Sequence, residues 1–362
     1  MLLKLFKDEK AIVISIITLL TLTPIEHQIV HSPLFNNLAL FLIFAVIMYA
    51  AVNVAHHAEM LAEKYGEPYG TMILTLSAVL VEVLIIGIMM SHSENINLAR
   101  DTIVAAVLLD INGLLGIAAI IGGIKHGEQD YNIDSTNSYI AMIIVAIGIA
   151  MVLPMFVPAE MHTTYLVFLA VMFIFMFIIF TRIQIKEHSY FFQYDYKSDK
   201  KEQLKVHGSI NGFYHAALLI ICIAAIGFLS ELMSIFMSES LSNSGLPLAL
   251  GALAVAIISA SPELLTAIKS AAANRMQTVI NIALGASLST VLLTIPAMII
   301  LALVTQHDIN FVLSPVQMVL LGLTFLASIV HFSDGQSNVL EGAIHFVIFI
   351  VFIFFTFTGL IG

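Results

Sequence analysis

Residues 70–90 read GTMILTLSAVLVEVLIIGIMM, an apolar run in which Glu82 is the one charged side chain. A membrane-spanning helix needs about 20 consecutive apolar residues, so this run is long enough to cross a bilayer. The whole chain is similar, because 60% of its 362 residues are hydrophobic and 10% are charged. Soluble domains carry about 25% charged residues. Continuous apolar runs exclude the alternating strands of a membrane β-barrel and predict helices that satisfy their own backbone groups.

Polar segments divide the chain into eleven such runs, which predict an all-α polytopic membrane protein. The runs are 11–25, 37–57, 70–90, 101–124, 138–157, 163–184, 212–236, 247–268, 277–304, 311–331 and 339–360. The first run follows Lys4, Lys7 and Lys10, as the apolar part of a signal peptide would. No small-x-small cleavage site comes after it, so we expect a retained first helix.

The distribution of basic residues predicts the orientation. If the N-terminus is cytoplasmic and the spans alternate, every lysine and arginine except Arg100 falls on the cytoplasmic side. Membrane proteins concentrate Lys and Arg there, so we expect a cytoplasmic N-terminus and an external C-terminus. The predicted organisation is an N-terminal helix at 1–33, a five-helix repeat at 34–185, a cytoplasmic loop at 186–210 and a second five-helix repeat at 211–362.

A matched spacing relates the two five-helix groups. Gly70 lies twelve residues before Glu82, and Gly251 lies twelve residues before Glu263. Both glutamates fall in the second helix of their group, and Pro68 and Pro247 stand where these helices start. Because five is odd, the second group must cross the membrane in the opposite sense. Inverted repeats with polar sites at matched positions are typical of secondary transporters.

Glu82 and Glu263 are the predicted cation and proton ligands. A carboxylate near the bilayer centre costs at least ~2.5–3.5 kcal/mol, so Glu82 should face the protein interior and be functional. Glu263 follows Ser259, Ser261 and Pro262. A proline kinks or breaks a helix, and the carbonyls it frees would join the carboxylate and serines as oxygen ligands. The alternatives are a protonated Glu82 with a structural hydrogen bond and a solvated Glu263 at a helix end.

Two carboxylates in a dry site would couple a cation to protons. Burial and the second carboxylate both favour proton binding, and the pair would titrate as one unit. A divalent cation needs both groups ionised, so protons and metal compete for the same place. If access switches only when charge is compensated, exchange follows. Inorganic cations, protons and membrane lipid are the predicted partners.

Other polar residues within the spans are weaker candidates. Asp110 is an intramembrane acid and a candidate third site, whereas Asn112 fits either the site or an interhelical hydrogen bond. Ser287 lies on one helical face with Thr290 and Thr294, and this face either lines a site or bonds neighbouring backbones. We interpret His56, His57, Glu59 and Glu63 as a solvated helix end, with a pH sensor as the alternative, and His345 as packed.

Several motifs resemble the cation/proton exchanger branch of the calcium/cation antiporter superfamily. They are Gly122-Gly123-Ile124-Lys125-His126-Gly127-Glu128-Gln129, Asn274-Arg275-Met276 before Ala283-Leu284-Gly285-Ala286-Ser287, and Asp334-Gly335-Gln336-Ser337-Asn338-Val339-Leu340-Glu341-Gly342. The segments His57-Ala58-Glu59, Gly66–Gly70 and Ser261-Pro262-Glu263 resemble the bacterial ChaA-type calcium (sodium, potassium)/proton antiporters in particular. The resemblance extends from about residue 40 to 360.

The resemblance implies eleven helices, two inverted five-helix repeats and one acidic ligand per repeat, at Glu82 and Glu263. Calcium exchangers of the family typically have Gly-Asn-Ala before each glutamate, whereas this chain has Ala78-Val79-Leu80 and Ser259-Ala260-Ser261. Both amide side chains are absent, and the glutamine usual in the ninth helix falls near Ser289. Fewer oxygen ligands favour sodium or potassium, alone or beside calcium.

The sequence as a whole predicts an antiporter of a bacterial inner membrane that exchanges calcium, sodium or potassium for protons. A cation channel and a non-transporting membrane scaffold are the alternatives. No phosphate-binding loop, zinc-type spacing or nucleophile motif is present, so neither a cofactor nor an enzymatic activity is expected. No basic patch suggests a nucleic-acid partner.

Overall fold

The computed structural model of the chain describes residues 9–65, 69–92, 95–194 and 211–361. These residues hold ten apolar helical segments long enough to cross a membrane and an eleventh, Pro315–His331, of 17 residues. The predicted all-helical, multi-span fold is confirmed. Pro68, Lys4, Lys7 and the residues of the predicted loop from 195 to 210 lie outside the described part of the chain.

The α-helices are Lys10–Leu22, Glu26–Ile29, Pro33–Tyr65, Tyr69–Ser91, Leu98–Leu108, Leu115–His126, Ile133–Ile147, His162–Arg182, Gly212–Ser244, Ala249–Ala272, Met276–Ser289, Ile295–Thr305, Pro315–His331 and Val339–Phe357. The π-helical segments are Leu109–Leu114, Gly148–Val152, Ile183–Glu187 and Thr290–Thr294. Short 3₁₀ turns are Thr23–Ile25, Leu153–Phe156, Ala159–Met161 and Ser189–Phe192. Two short strands, Gln129–Asp130 and Gln336–Ser337, pair antiparallel, with Gln129 opposite Ser337.

Capping residues explain where several helices depart from the apolar runs. The run at 311–331 becomes a helix only at Pro315, because Ser314 and Gln317 form a capping box at its start. The run at 212–236 continues as a helix to Ser244, where Gly245 adopts a left-handed conformation at φ 63°. Hydropathy follows the apolar part of a helix, whereas its ends are set by side chains that satisfy the terminal backbone groups.

Helix positions support the predicted repeat. Glu82 and Glu263 are 181 residues apart, and the five spans of the first group begin at 33, 69, 98, 133 and 159. The spans of the second group, which begin at 212, 249, 276, 315 and 339, each start within three residues of the position 181 further on. The π-helical segments Leu109–Leu114 and Thr290–Thr294 also begin 181 residues apart. A local deformation of the helix therefore recurs at the same place in both groups.

Contacts divide the chain into two compact units. The first comprises Met1–Leu98 and Ser209–Pro262, and the second comprises Ala99–Gly208 and Glu263–Gly362. Each unit thus takes helices from both predicted repeats: the first two of each group in one case and the last three in the other. The division of the second group falls within the helix Ala249–Ala272, between Pro262 and Glu263.

The first unit is built on an antiparallel pair of 33-residue helices, Pro33–Tyr65 and Gly212–Ser244. Asn36 near the start of one donates to the carbonyl of Phe236 near the end of the other at 2.9 Å. Further along the two helices, the thiol of Cys222 donates to the side-chain oxygen of Asn53 at 3.7 Å. These helices open the two five-helix groups, and their opposite directions are those expected of an inverted repeat.

The second unit packs its buried span, Leu98–His126, against the last helix through glycines. A Cβ atom on Gly342 would lie 2.8 Å from the carbonyl oxygen of Gly116, and one on Gly123 would lie 2.7 Å from the backbone nitrogen of Val339. The absence of side chains therefore lets the two backbones approach closely, as small residues do in membrane helix pairs. Within this span Ile103, Val107 and Ile111 are fully buried.

Candidate functional site

Glu82 lies on the interior face of the helix Tyr69–Ser91, in the first unit. Its side chain is 3% exposed, and Ile85 and Ile86, on the same face, are fully buried. Leu80, on another face, is 53% exposed. The expectation that this carboxylate faces protein rather than lipid is met by its burial.

Pro262 does not break the helix that carries Glu263. The sequence predicts a kink or a break, and the break does not occur, because the helix continues from Ala249 to Ala272 with Pro262 inside it. Proline has no N–H, and the carbonyl of Ile258 loses its regular partner. The hydroxyl of Ser261 donates to that carbonyl at 2.8 Å and replaces the missing bond. The Ile258 carbonyl is thus occupied, while Glu263 itself is half-buried.

The two serines of this segment keep oxygen atoms that can accept or coordinate. Ser259 donates to the carbonyl of Ala256 at 3.1 Å, in the same manner as Ser261. Each hydroxyl uses its hydrogen within the helix, and its oxygen lone pairs remain chemically competent to bind a cation. Both serines belong to the first unit, as does Glu82, whereas Glu263 is the first residue of the second. The role of the serines as ligands stays a prediction.

Asp110 and Ser287 meet in the second unit. The Ser287 hydroxyl lies 3.3 Å from Oδ2 of Asp110, and both side chains are buried. Asp110 lies in the π-helical segment Leu109–Leu114, where the wider turn shifts side chains relative to a regular helix. Segments of this kind often accompany functional sites. These residues from separate predicted helices are therefore one buried polar pair.

Asn112 connects three helices instead of standing alone in the span. Its amide nitrogen donates to the Thr324 hydroxyl at 2.8 Å, and its carbonyl oxygen lies 2.9 Å from Nδ1 of His345. All three side chains are fully buried. The interhelical alternative accounts for these contacts, and His345 is packed as expected. A ligand role for Asn112 remains a prediction.

The glycine-rich motif that ends the span Leu98–His126 caps the end of the Glu263 helix. Lys125 donates to the carbonyl of Ala272 at 2.8 Å, and Gln129 donates to the carbonyl of Ala271 at 3.0 Å. Gln129 also donates to the side chain of Asn274, a residue with φ 60°. The last carbonyls of a helix have no intrahelical donor and carry partial negative charge. The motif therefore fixes the helix end nine residues after Glu263.

Charged residues at helix ends depart from the sequence expectations. His57 is 1% exposed, so its interpretation as part of a solvated helix end is wrong, although His56, Glu59 and Glu63 are exposed. Arg100, the exception to the charge asymmetry, is buried and lies 2.7 Å from Asp101. An arginine neutralised in this way no longer acts as a free positive charge. The two residues are adjacent at the start of the run at 101–124, where hydropathy gives no signal for their pairing.

No group of three or more His, Cys, Asp or Glu side chains with metal-holding geometry occurs among the described residues. Glu82 lies in the first unit and Glu263 in the second, and both of their helices also carry serine hydroxyls.

Comparison with known proteins identifies the family. The family described as sodium/calcium exchanger protein matches residues 35–186 and 214–358. The chain belongs to this family. The two matched segments coincide with the two five-helix groups, and the resemblance read from the motifs is confirmed.

Individual relatives agree with this assignment. The chain is 31% identical over 326 residues, 88% of each protein, to y4hA of Sinorhizobium fredii, whose name describes an ionic transporter. It is 30% identical over 312 residues, 85% of each protein, to the sodium-potassium/proton antiporter ChaA of Escherichia coli. Its fold is similar to the crystal structure of the Ca²⁺/H⁺ antiporter protein YfkE, with a TM-score of 0.77 at 17% identity over 97% of this chain and 100% of that one. These relatives are transporters, and the chain is a multi-pass membrane transporter rather than an enzyme.

Proposed function

We propose that the protein is a secondary antiporter that exchanges sodium or potassium for protons, with calcium as a weaker substrate. The observation that carries the proposal is the matched position of Glu82 and Glu263 in the two segments of an exchanger-family chain. A relative at 30% identity is named a sodium-potassium/proton antiporter. Each glutamate is the acidic residue of an apolar helix, which is where transporters with repeats bind their ions.

Competition between cation and protons supplies the coupling. An ionised carboxylate in a low-dielectric site is costly unless a cation or a proton compensates its charge. The two glutamates would pass between a cation-bound state and a protonated state, and access would alternate only in these compensated states. A coupled pair of this kind titrates as one unit, so its pH dependence belongs to both residues.

Hydroxyls complete the proposed ligand set. Ser259 and Ser261 both precede Glu263 on its helix, and their hydroxyls donate to backbone carbonyls, so each oxygen retains lone pairs that can bind a cation. Asp110 and Ser287 form the buried polar pair, which we assign to the path of the proton. Asn112, held between Thr324 and His345, would orient the segment that carries Asp110.

The oxygen count favours a monovalent cation. Calcium takes six to eight oxygen ligands, including carboxylate and amide oxygens. Val79 and Ala260, which each lie three residues before a glutamate, have no side-chain oxygen. Two carboxylates and a few hydroxyls are a weaker cage for a divalent ion and a sufficient one for sodium or potassium.

The bacterial relatives and the charge asymmetry support a bacterial inner-membrane location with a cytoplasmic N-terminus. Lysines cluster in the segments 1–10 and 186–205, which would both be cytoplasmic. Outside Arg100, which pairs with Asp101, the proposed external segments carry no basic side chain other than histidine. In this orientation the proton gradient would drive cations out of the cell.

The test uses purified protein in liposomes with a pH-sensitive dye inside and an imposed proton gradient. Sodium, potassium and calcium are added in turn to wild type, Glu82→Gln, Glu263→Gln and the control Glu239→Gln. Glu239 is a glutamate at the far end of Gly212–Ser244 that bonds to Asn243. Sodium- or potassium-dependent proton movement that survives only in wild type and the control supports the proposal. No proton movement with any cation, or single-channel currents, would overturn it.

A further inference from the structure

A buried cluster at one end of the first unit contains two histidines and a glutamate. Nδ1 of His57 lies 3.0 Å from Nδ1 of His215, and Nε2 of His57 lies 3.2 Å from Oε2 of Glu9. The other carboxylate oxygen of Glu9 accepts from the Tyr214 hydroxyl at 2.7 Å. His57 is 1% exposed and Glu9 is 6% exposed, whereas His215 is half-buried.

The cluster joins three separate parts of the chain. Glu9 precedes the N-terminal helix Lys10–Leu22, His57 lies near the end of Pro33–Tyr65, and His215 lies near the start of Gly212–Ser244. The N-terminal helix packs against both of the long antiparallel helices. The Glu9–His57 contact is thus a polar link between the N-terminal helix and the two long helices.

Other ionisable groups of the described residues lie near the two rings. His56 is adjacent on the same helix, with ring centroids 5.5 Å apart, and is exposed. Lys64 lies further along the same helix as His57 and acts on His215. Among the described residues, Glu9, His215 and His56 are the ionisable groups that act on the buried ring of His57.

Hydrogen-bond geometry dictates the tautomers. A carboxylate accepts hydrogen bonds only, so Nε2 of His57 carries a hydrogen and donates to Glu9. In neutral His57 the Nδ1 atom is then an acceptor, and His215 must donate to it from its own Nδ1. The Nε2 atom of the half-buried His215 is then the basic nitrogen that can accept a further proton.

We propose that this cluster is a binding site for a single proton, separate from the two-glutamate site. A proton added at Nε2 of His215 makes that ring an imidazolium. Transfer of the Nδ1 hydrogen from His215 to His57 then places the positive charge next to Glu9, and His215 is left neutral. The two histidines form a relay that ends in an ion pair between the His57 imidazolium and the Glu9 carboxylate.

A second proton does not fit. If both rings were imidazolium ions, both Nδ1 atoms would carry hydrogens that point at each other across 3.0 Å. Two positive charges would also face one carboxylate. The pair therefore binds one proton where two independent histidines would bind two, and its affinity for that proton belongs to the pair.

The test is a difference proton titration of purified protein in detergent micelles between pH 8.5 and 5.0. The control His307→Gln removes an exposed histidine of the second unit and calibrates the uptake lost when one histidine outside the cluster is removed. His57→Gln and His215→Gln should each lower uptake by about zero, because the remaining histidine still takes the shared proton. The double variant His57→Gln/His215→Gln should lower uptake by about one.

Losses of about one proton in each single variant and two in the double variant would show independent histidines and overturn the proposal. No loss in the double variant would show a cluster that stays neutral and would overturn it as well. Size-exclusion profiles and thermal unfolding confirm that each variant is folded, and His57→Asn replaces His57→Gln if the latter fails. The titration involves no transport, so its outcome is independent of the proposed exchange.

Discussion

The helix Tyr69–Ser91 carries Glu82 in an uninterrupted apolar segment, whereas Ala249–Ala272 carries Glu263 directly after a proline and two serines. Both glutamates occupy the same place in their repeats. The local chemistry differs, because the second helix replaces a backbone donor with the hydroxyl of Ser261 and the first needs no replacement. The two glutamates thus share their position in the repeats, whereas the side chains that precede them differ in polarity. The segment before Glu263 carries two serine hydroxyls within four residues, whereas the four residues before Glu82 carry none.

Removal of either carboxylate gives the largest expected effect. Glu82→Gln and Glu263→Gln should each lower cation-dependent proton flux by more than about 100-fold, because an amide cannot bind the exchanged proton. Flux in liposomes measures this, with Glu239→Gln as the matched control. If one variant loses flux and the other keeps it, the two helices do not share the site and the comparison breaks.

The proline makes Ser261 more important than other helix serines. Ser261→Ala would leave the Ile258 carbonyl without its donor and should cost about 1–3 kcal/mol of stability. In Ser261→Ala/Pro262→Ala the new backbone N–H of residue 262 restores a regular helix bond, so stability should recover. Thermal unfolding in detergent measures both variants. A double variant as unstable as Ser261→Ala would contradict this account of the serine.

Amide side chains should change ion preference. Val79→Asn/Ala260→Asn adds one carboxamide oxygen before each glutamate, and calcium favours such ligands. We expect the calcium-to-sodium ratio of proton flux to rise by about tenfold. Val79→Leu/Ala260→Val is the control, because it adds bulk at the same positions without oxygen. An equal ratio in both double variants would mean that these positions do not contribute ligands.

Ser77 in the Glu82 helix gives the smallest expected effect. Its hydroxyl donates to the carbonyl of Ile73 at 2.6 Å. In a regular helix that carbonyl also accepts a backbone N–H, so the hydroxyl is an additional bond rather than a replacement. Ser77→Ala should therefore change stability by less than about 0.5 kcal/mol. A cost equal to that of Ser261→Ala would remove the proposed difference between the helices.

Much of the fold was predictable from the chain. Apolar runs marked the eleven apolar helical segments of the described residues, because a span in lipid must be continuously apolar and must satisfy its own backbone. The repeat was readable from Glu82 and Glu263, since charge in such runs is rare. The ends were less predictable, as the eight-residue extension of the predicted run 212–236 to Ser244 shows, because polar caps leave no hydropathy signal.

The sequence by itself determined the class of protein, the register of the two groups and the position of the two glutamates, because these depend on composition and spacing along the chain. Only the tertiary structure decided which polar residues meet. His57 bonds to Glu9 and His215, and Asn112 to Thr324 and His345, across separations of 48 to 233 residues. Hydropathy reports whether a residue tolerates lipid. Hydropathy does not indicate which partner a buried polar group contacts once the helices pack. That partner determines the chemistry of the polar group.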